Sequence, residues 1–574
     1  MNTTAPIGDP APGASESGPH AAGAGGVGLL CNPEELPMND TATPIVDGPF
    51  LPEAVPSLTV PQFIRKRALR HPTAVAMIDA SSGNEVTYGA LDHLIGRCAA
   101  GLSAQGFEAG DTLLMCSPNS PKWVIAALGA MAAGGRVSGA NPSCTAGELT
   151  HQMRDSNARF VYTVAPLLAV VRQAAAQTGC EHVVVAGDAT NDASGGLSMS
   201  ALLASEGPEP QGPDDPDALA LLPYSSGTTG LPKGVMLTHR AIVTNVCQSA
   251  VGSGWPQGVV TLGFLPMFHA MGFVLVTLTT LALGGKLVTL PRFEPEAFLK
   301  ALAEHRVSHL VVVPPIMQFL AMHPRVAAFD LSALRAVGSG GAPMSAALEA
   351  QVAQRLGCPT LQGYGMTETS AVLAMGCPSA PLRAGSVGRL VPGTQARVVD
   401  PASAADLPRG QPGELWFRGP QLFEGYLNDP AATAATLPGD GWIRTGDLGF
   451  IDADGFVFVT DRLKELIKVK GLPVAPAELE ALLLTHPAVA DAAVIGRPDA
   501  RAGELPVAYV VARAALEPDA LTQWLAERVA PHKRLADVVL VEAIPKTPAG
   551  KLLRRVLRTQ DAARTAGAAK AAAA

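Results

Sequence analysis

Between Tyr224 and His239 the chain reads YSSGTTGLPKGVMLTH, a turn rich in hydroxyls and glycine, with a lysine fixed close behind an apolar run. Residues 218 to 224 (ALALLPY) read as a short buried strand from their continuous apolar character. Gly227, Gly230 and Gly234 then let backbone N–H groups approach an anion closely. Ser225, Ser226, Thr228 and Thr229 add hydroxyl donors, and Lys233 adds a point charge suited to a polyphosphate. A flexible Ser/Gly linker fits poorly, because the segment stands between a strand and a helical run from Thr238 to Ala250. It is not a Walker A loop: Pro232 stands where that motif needs glycine, and Gly234 where it needs Ser or Thr. A bound polyphosphate is implied, held in another way.

At 574 residues the chain is too long for one simple core, so two or more domains are expected. Hydrophobic residues make up 48% and charged residues 16%, which indicates a globular protein. A net charge of -8 argues against a nucleic-acid partner, which demands a basic face. The eight cysteines show no CxxC and no zinc spacing, and read as reduced residues of a cytoplasmic protein. Residues 1–50 lack a charged segment followed by an apolar one and read as a disordered tail rather than a signal peptide, as do residues 561–574. The uncharged run 270 to 285, which contains several threonines, falls short of the roughly 20 apolar residues that span a bilayer, and no transmembrane segment is expected.

From about residue 60 to 395, strand-like runs alternate with helical patterns, as in DTLLMC (111 to 116) before PKWVIAALGAMAAG (121 to 134). Such alternation predicts an α/β domain of layered, mostly parallel sheets and helices. Residues 395 to 460 become strand-rich and predict a barrel-like appendage. After Asp461 a helix (476 to 484), strands (491 to 496 and 507 to 512), a second helix (518 to 529) and a last strand (537 to 543) predict a small α+β unit. The expected division is 51–462 for the large N-terminal domain and 463–560 for a mobile C-terminal one.

The Tyr224 segment resembles the phosphate loop of the adenylate-forming enzymes, the group containing acyl-CoA synthetases, luciferases and peptide-synthetase adenylation domains. Further motifs agree in order: Gly340-Gly341-Ala342-Pro343, Gly363-Tyr364-Gly365-Met366-Thr367-Glu368, Thr445-Gly446-Asp447, Asp461-Arg462 with Lys468, and PKTPAGK ending at Lys551. The resemblance covers roughly residues 55 to 558, and VKGLPVAPAELE (469 to 480) looks most like the 4-coumarate and related CoA ligases.

That resemblance implies ATP, Mg2+ and coenzyme A. It makes Ser225 to Lys233 the holder of the departing phosphates, with Thr228 among the catalytic groups. Glu368 is implied as the magnesium ligand and Thr367 as a donor to the α-phosphate, with Gly340 to Pro343 and Gly363 to Met366 around the nucleotide. Asp447 is suited to accept both ribose hydroxyls, with Arg462 supporting the sugar. Lys551 is implied to bridge carboxylate and α-phosphate during adenylation. Lys464 matches the hinge, and rotation there would bring Lys468, Lys470 and Gly471 to the site for thioester formation. His269 matches a histidine at the acyl pocket, whose wall would include Ala270, Met271, Gly338, Gly340 and Gly365.

Plant coumarate ligases carry glutamine where Pro473 stands, Ile-Tyr where Ala270-Met271 stand, and lysine where Gly338 stands. Proline supplies no side-chain amide for the thioester step, and the acid is expected to be hydrophobic: aryl, fatty or bulky polycyclic. The alternative is a stand-alone adenylating enzyme that stops at acyl-AMP or loads an acyl carrier protein. An amino-acid adenylating enzyme is disfavoured because Phe268-His269 occupies the place of its Phe-Asp. A luciferase-type oxygenase and a silent nucleotide-binding scaffold are further rivals. Monomer and homodimer are both open.

Overall fold

The computed structural model describes residues 44–187, 197–210, 212, 214–225, 232–470, 472–499, 501–547 and 552–573. Among them are two nine-stranded sheets, a six-stranded sheet and a five-stranded sheet. The first large sheet has a parallel centre made by Arg136–Ala140, Thr112–Cys116, Ala158–Thr163 and His182–Val185. The second is parallel through Val75–Asp79, Lys286–Thr289, Val260–Gly263, His309–Val312, Ala336–Ser339 and Thr360–Tyr364. Strands buried on both faces need near-continuous apolar sequence, and Thr112–Cys116 and His309–Val312 are buried at every position. The expected layers of mostly parallel sheet are present.

The helix His239–Gly252 and the π-helix Met271–Leu278 are buried along almost their whole lengths. Thr238 caps the first of them by accepting from Ala241 N (3.1 Å). Two of its buried polar residues reach distant backbone: Asn245 donates to Val372 O (2.8 Å), and Gln248 donates to Pro392 O (2.7 Å). These bonds fasten the helix to segments leading from the second sheet into the third.

The third sheet is antiparallel, through Gln395–Val399, Gly413–Arg418, Ile443–Ile451 and Val457–Arg462. It forms the appendage expected over 395 to 460. Residues 467–557 build separate apolar clusters around the five-stranded sheet, with helices Pro476–Leu483 and Pro518–Ala526.

Three expectations need correction. The N-terminal tail does not extend to residue 50: Val46–Asp47 pair with Ala396 and Gln395, and Val46 is buried. At the other end Arg554–Ala573 is helical, and buried Asp561 accepts from Arg497 (2.7 Å) and Tyr509 (2.9 Å), so of the tail expected over 561–574 the described residues, 561–573, are helical. The alanine-rich composition that suggested disorder is also the strongest helix-forming one. The run 218 to 224 is not one strand. It splits at Pro223, which has no N–H to donate, into Leu219–Leu221 and Tyr224–Ser225, both paired with Lys233–Thr238.

Two buried histidines make the fold acid-sensitive. His239 accepts from Val60 N (3.1 Å), and burial pushes its pKa down to about 4; burial does the same to His309. The unfolded chain takes up a proton on each below about pH 6.5 while the folded chain refuses it until about pH 4. Stability is therefore full above that window and falls as pH drops through it, by about 3 kcal/mol per histidine. Urea midpoints between pH 7 and 4.5 should show a smaller fall in His239→Gln than in the parent chain. Equal slopes would contradict this assignment.

Candidate active site

A hairpin at the edge of the first sheet brings Ser225 opposite Lys233. Lys233 is the first residue of its strand, and its Nζ pairs with Asp429 Oδ2 at 2.9 Å. Asp429 also caps the helix Pro430–Thr436, accepting from Ala432 N (2.9 Å), so the carboxylate is fixed. Tyr224 precedes the loop and donates to Asp155 Oδ2 (2.6 Å), while Asn428 donates to Asp155 Oδ1 (3.1 Å). Burial, helped by the Asp155 charge, pushes the Tyr224 phenol up, so it stays a donor.

The second sheet contributes Thr360–Tyr364 and the turn that follows. Gly365 passes so close to the carbonyl of Ala371 that any Cβ there would collide with it. The chain then enters a 3-10 turn, Thr367–Thr369, that buries Glu368 to 6% exposure. Glu368 Oε1 accepts from Ser225 Oγ (3.2 Å) and from Tyr426 OH (2.8 Å). Among the described residues Oε2 takes no hydrogen bond. No group of three or more His, Cys, Asp or Glu able to hold a metal occurs among them either. One buried carboxylate with a free oxygen fits Mg2+, which binds through one or two carboxylates and takes its other ligands from phosphates and water.

The third sheet contributes Asp447 and Arg462, which face one another in register. Asp447 Oδ2 accepts from Tyr364 OH (2.6 Å), and Oδ1 meets Arg462 Nε at 3.1 Å. Burial and the Asp447 charge together push the Tyr364 phenol well above its ordinary value, which keeps its proton on. Thr445 shapes the turn by accepting from Asp447 N (3.0 Å) and donating to Leu415 O (2.7 Å). Gly340 and Gly341 leave the strand Ala336–Ser339, with Ala342 and Pro343 following. A Cβ on Gly340 would lie 3.4 Å from Met271 Sδ, so this glycine and Met271 share a wall. A Cβ on Gly338 would meet only Leu310 O, at 3.9 Å, and the His269 ring lies tilted beside Phe268 with ring centres 4.4 Å apart.

The structure thus joins Ser225, Lys233 and Glu368 in one cluster, through Tyr426 and Asp429, and Tyr364, Asp447 and Arg462 in another. The segment Gly363 to Glu368, which includes Met366 and Thr367, runs between them. Ala270 is buried beside His269. Lys464, Lys468 and Lys470 are exposed, and among the described residues no hydrogen bond or ion pair joins them to either cluster. Pro473 pairs with Lys468 on an edge strand, where its missing N–H removes no ladder bond. Ser226, Gly227, Thr228, Thr229, Gly230, Gly471 and Lys551 lie outside the described residues. Asp155, Tyr426, Asn428 and Asp429 were not expected from sequence. The one local signal is Asp429-Pro430, the signature of a helix start, which marks a cap and not a site.

Residues 64–427 match the family model described as AMP-binding enzyme, and residues 478–551 match AMP-binding enzyme C-terminal domain. A 4-coumarate–CoA ligase of Vanilla planifolia is 41% identical over 500 residues, covering 85% of this chain and 90% of that protein. The ATP-bound structure of MatB from Rhodopseudomonas palustris superposes with a TM-score of 0.80 at 29% identity, covering 88% of this chain and 99% of that one. A fatty acyl CoA synthetase of Mycobacterium tuberculosis gives 0.70 at 30% identity, with 88% and 99% covered.

Proposed function

This chain belongs to the family of AMP-binding enzymes, and we propose that it works as an AMP-forming acid–CoA ligase. In the first half-reaction a carboxylate attacks the α-phosphate of ATP, giving acyl-AMP and pyrophosphate. In the second, the CoA thiol attacks the acyl carbon, giving the thioester and AMP. The logic is that a carboxylate is a poor electrophile until its oxygen is made a good leaving group. The observation that carries this reading is the cluster of Ser225, Lys233 and Glu368, whose hydroxyl, cation and carboxylate suit a metal-bound polyphosphate, linked by one short segment to the Tyr364–Asp447–Arg462 cluster, suited to a ribose.

Mg2+ held by Glu368 would neutralise charge on the polyphosphate. Lys233 and the hydroxyls around it hold the leaving pyrophosphate, and Asp447 accepts from the ribose hydroxyls. Lys551 places its charge between the carboxylate and the α-phosphate. Lys464 is the hinge, and Lys468, Lys470 and Gly471 serve the thiol step after rotation about it. CoA is the acceptor in this reading, and all residues named come from one chain. The seven described cysteines are unpaired, which suits a reducing, cytoplasmic setting. No helix among the described residues is long and apolar enough to cross a membrane.

The acid pocket is read at Ala270, Met271, Gly338, Gly340 and Gly365, with His269 at its entrance. Those five wall positions offer no hydroxyl and no charge to a polar substituent, and two glycines leave room for bulk. Pyrophosphate exchange over a panel of acids should favour cinnamic, fatty or polycyclic acids over 4-coumarate. A strong preference for 4-coumarate would contradict the assignment of the wall.

A further inference from the structure

The short strand Gly425–Tyr426 pairs with Lys233–Thr238, the strand that leaves the phosphate loop, with Tyr426 opposite Val235. From there Tyr426 reaches two groups at once. Its hydroxyl donates to Glu368 Oε1 (2.8 Å), and its ring lies 5.3 Å from Lys233 Nζ. We propose that Tyr426 is a positioning residue for the metal and polyphosphate end of the site: it fixes one oxygen of Glu368, leaving the other for the metal, and holds Lys233 alongside. This rests on the reading of Glu368 as the metal ligand.

A carboxylate that binds a metal through one oxygen turns freely about its terminal bond unless the other oxygen is held. Two hydroxyl donors on Oε1, from Ser225 and Tyr426, supply that restraint from two different strands. Partners of this kind behind a metal ligand set its orientation and typically contribute about 10–100-fold to metal affinity. Burial and the Glu368 charge push the Tyr426 phenol up, so it remains a donor across the working pH range.

The segment is held too firmly for Tyr426 to be there by accident of packing. Gly425 has φ +145, and a Cβ there would lie 2.7 Å from Thr433 Cγ2; Asn428 has φ +56. Tyr426 N donates to Thr433 Oγ1 (2.8 Å) and Leu427 N to Gly234 O (2.8 Å). Phe423 packs against the Tyr426 ring at 5.0 Å, giving the ring an apolar support that carries no donor.

The test uses the full-length protein, Mn2+ as the metal probe, and an ATP analogue that cannot be cleaved between the α- and β-phosphates. Bound Mn2+ is read by electron paramagnetic resonance. Tyr426→Phe keeps the ring over Lys233 and should weaken Mn2+ retention about 10-fold or more. It should leave analogue binding in excess EDTA within about twofold of the parent, as expected if it acts through the metal ligand. Glu368→Gln should weaken Mn2+ at least as much, and the double variant no further, because the hydroxyl acts through that carboxylate. Phe423→Leu, which disturbs the same packing, should leave Mn2+ affinity unchanged. Parent-like Mn2+ retention in Tyr426→Phe, additive losses in the double variant, or an equal loss in Phe423→Leu would each overturn the proposal. Unchanged Mn2+ affinity in Glu368→Gln would instead remove the metal-ligand reading itself.

Discussion

Lys551→Ala is expected to lower acid-dependent pyrophosphate exchange about a hundred- to a thousandfold, while thiolysis of a supplied acyl adenylate stays close to the parent rate. The first half-reaction brings one anion onto the phosphorus of another, and a cation between them is stronger in the transition state than in either ground state. The second half-reaction joins a thiol to a neutral acyl carbon and has no such need. Lys551 itself lies outside the described residues, but the residues described on either side of it are fixed. On one side Lys546 pairs with Leu552 and donates to Asp491 Oδ2 (2.6 Å). On the other, Arg554, its side chain 11% exposed, forks onto Glu480 (2.6 and 2.7 Å) and also reaches Glu465, next to Lys464, the proposed hinge. These ion pairs tie the residues that follow Lys551 to the segment proposed as the hinge. Near-normal exchange in Lys551→Ala would remove this lysine from the first step.

Asp447→Ala is expected to raise the KM for ATP about 10- to 100-fold, with the KM for the acid within about twofold, because the carboxylate's proposed partners are the ribose hydroxyls. Two protein groups also lose their acceptor. Tyr364 donates to Asp447 at 2.6 Å, and Arg462 meets it at 3.1 Å, so a stability loss of about 1–3 kcal/mol should accompany the kinetic change. Arg462 is 39% exposed and water can replace its partner, which keeps that loss below the cost of a fully buried pair. Asp447→Asn keeps one acceptor and should fall between. An unchanged KM for ATP in the alanine variant would contradict the ribose role, and the urea midpoint would show whether only the fold had depended on Asp447.

What could be read in the sequence was what is written locally. The turn after residue 224 announces a phosphate site because glycine, hydroxyl and lysine all fall within ten residues. The strand–helix alternation announces parallel layers because buried strands and amphipathic helices differ in period. What stayed hidden is what tertiary pairing creates. Tyr426 and Glu368 are 58 residues apart, and Tyr224 and Asp155 are 69 apart, with no motif joining either pair. A two-residue strand such as Val46–Asp47 has no period to detect, and its pairing depends on a partner near residue 395. The alanine-rich C-terminus misled because composition alone does not say that Asp561 will find Arg497 and Tyr509 waiting.

The central claim is that an acid is first joined to AMP and then passed to a thiol. The direct measurement is mass analysis of quenched mixtures of the purified protein with ATP, Mg2+ and a panel of apolar acids, with and without CoA. The account predicts an acyl-AMP when CoA is absent, and an acyl-CoA with stoichiometric AMP when it is present. Formation of ADP in place of AMP, or no acyl-AMP from any acid on the panel, would contradict it.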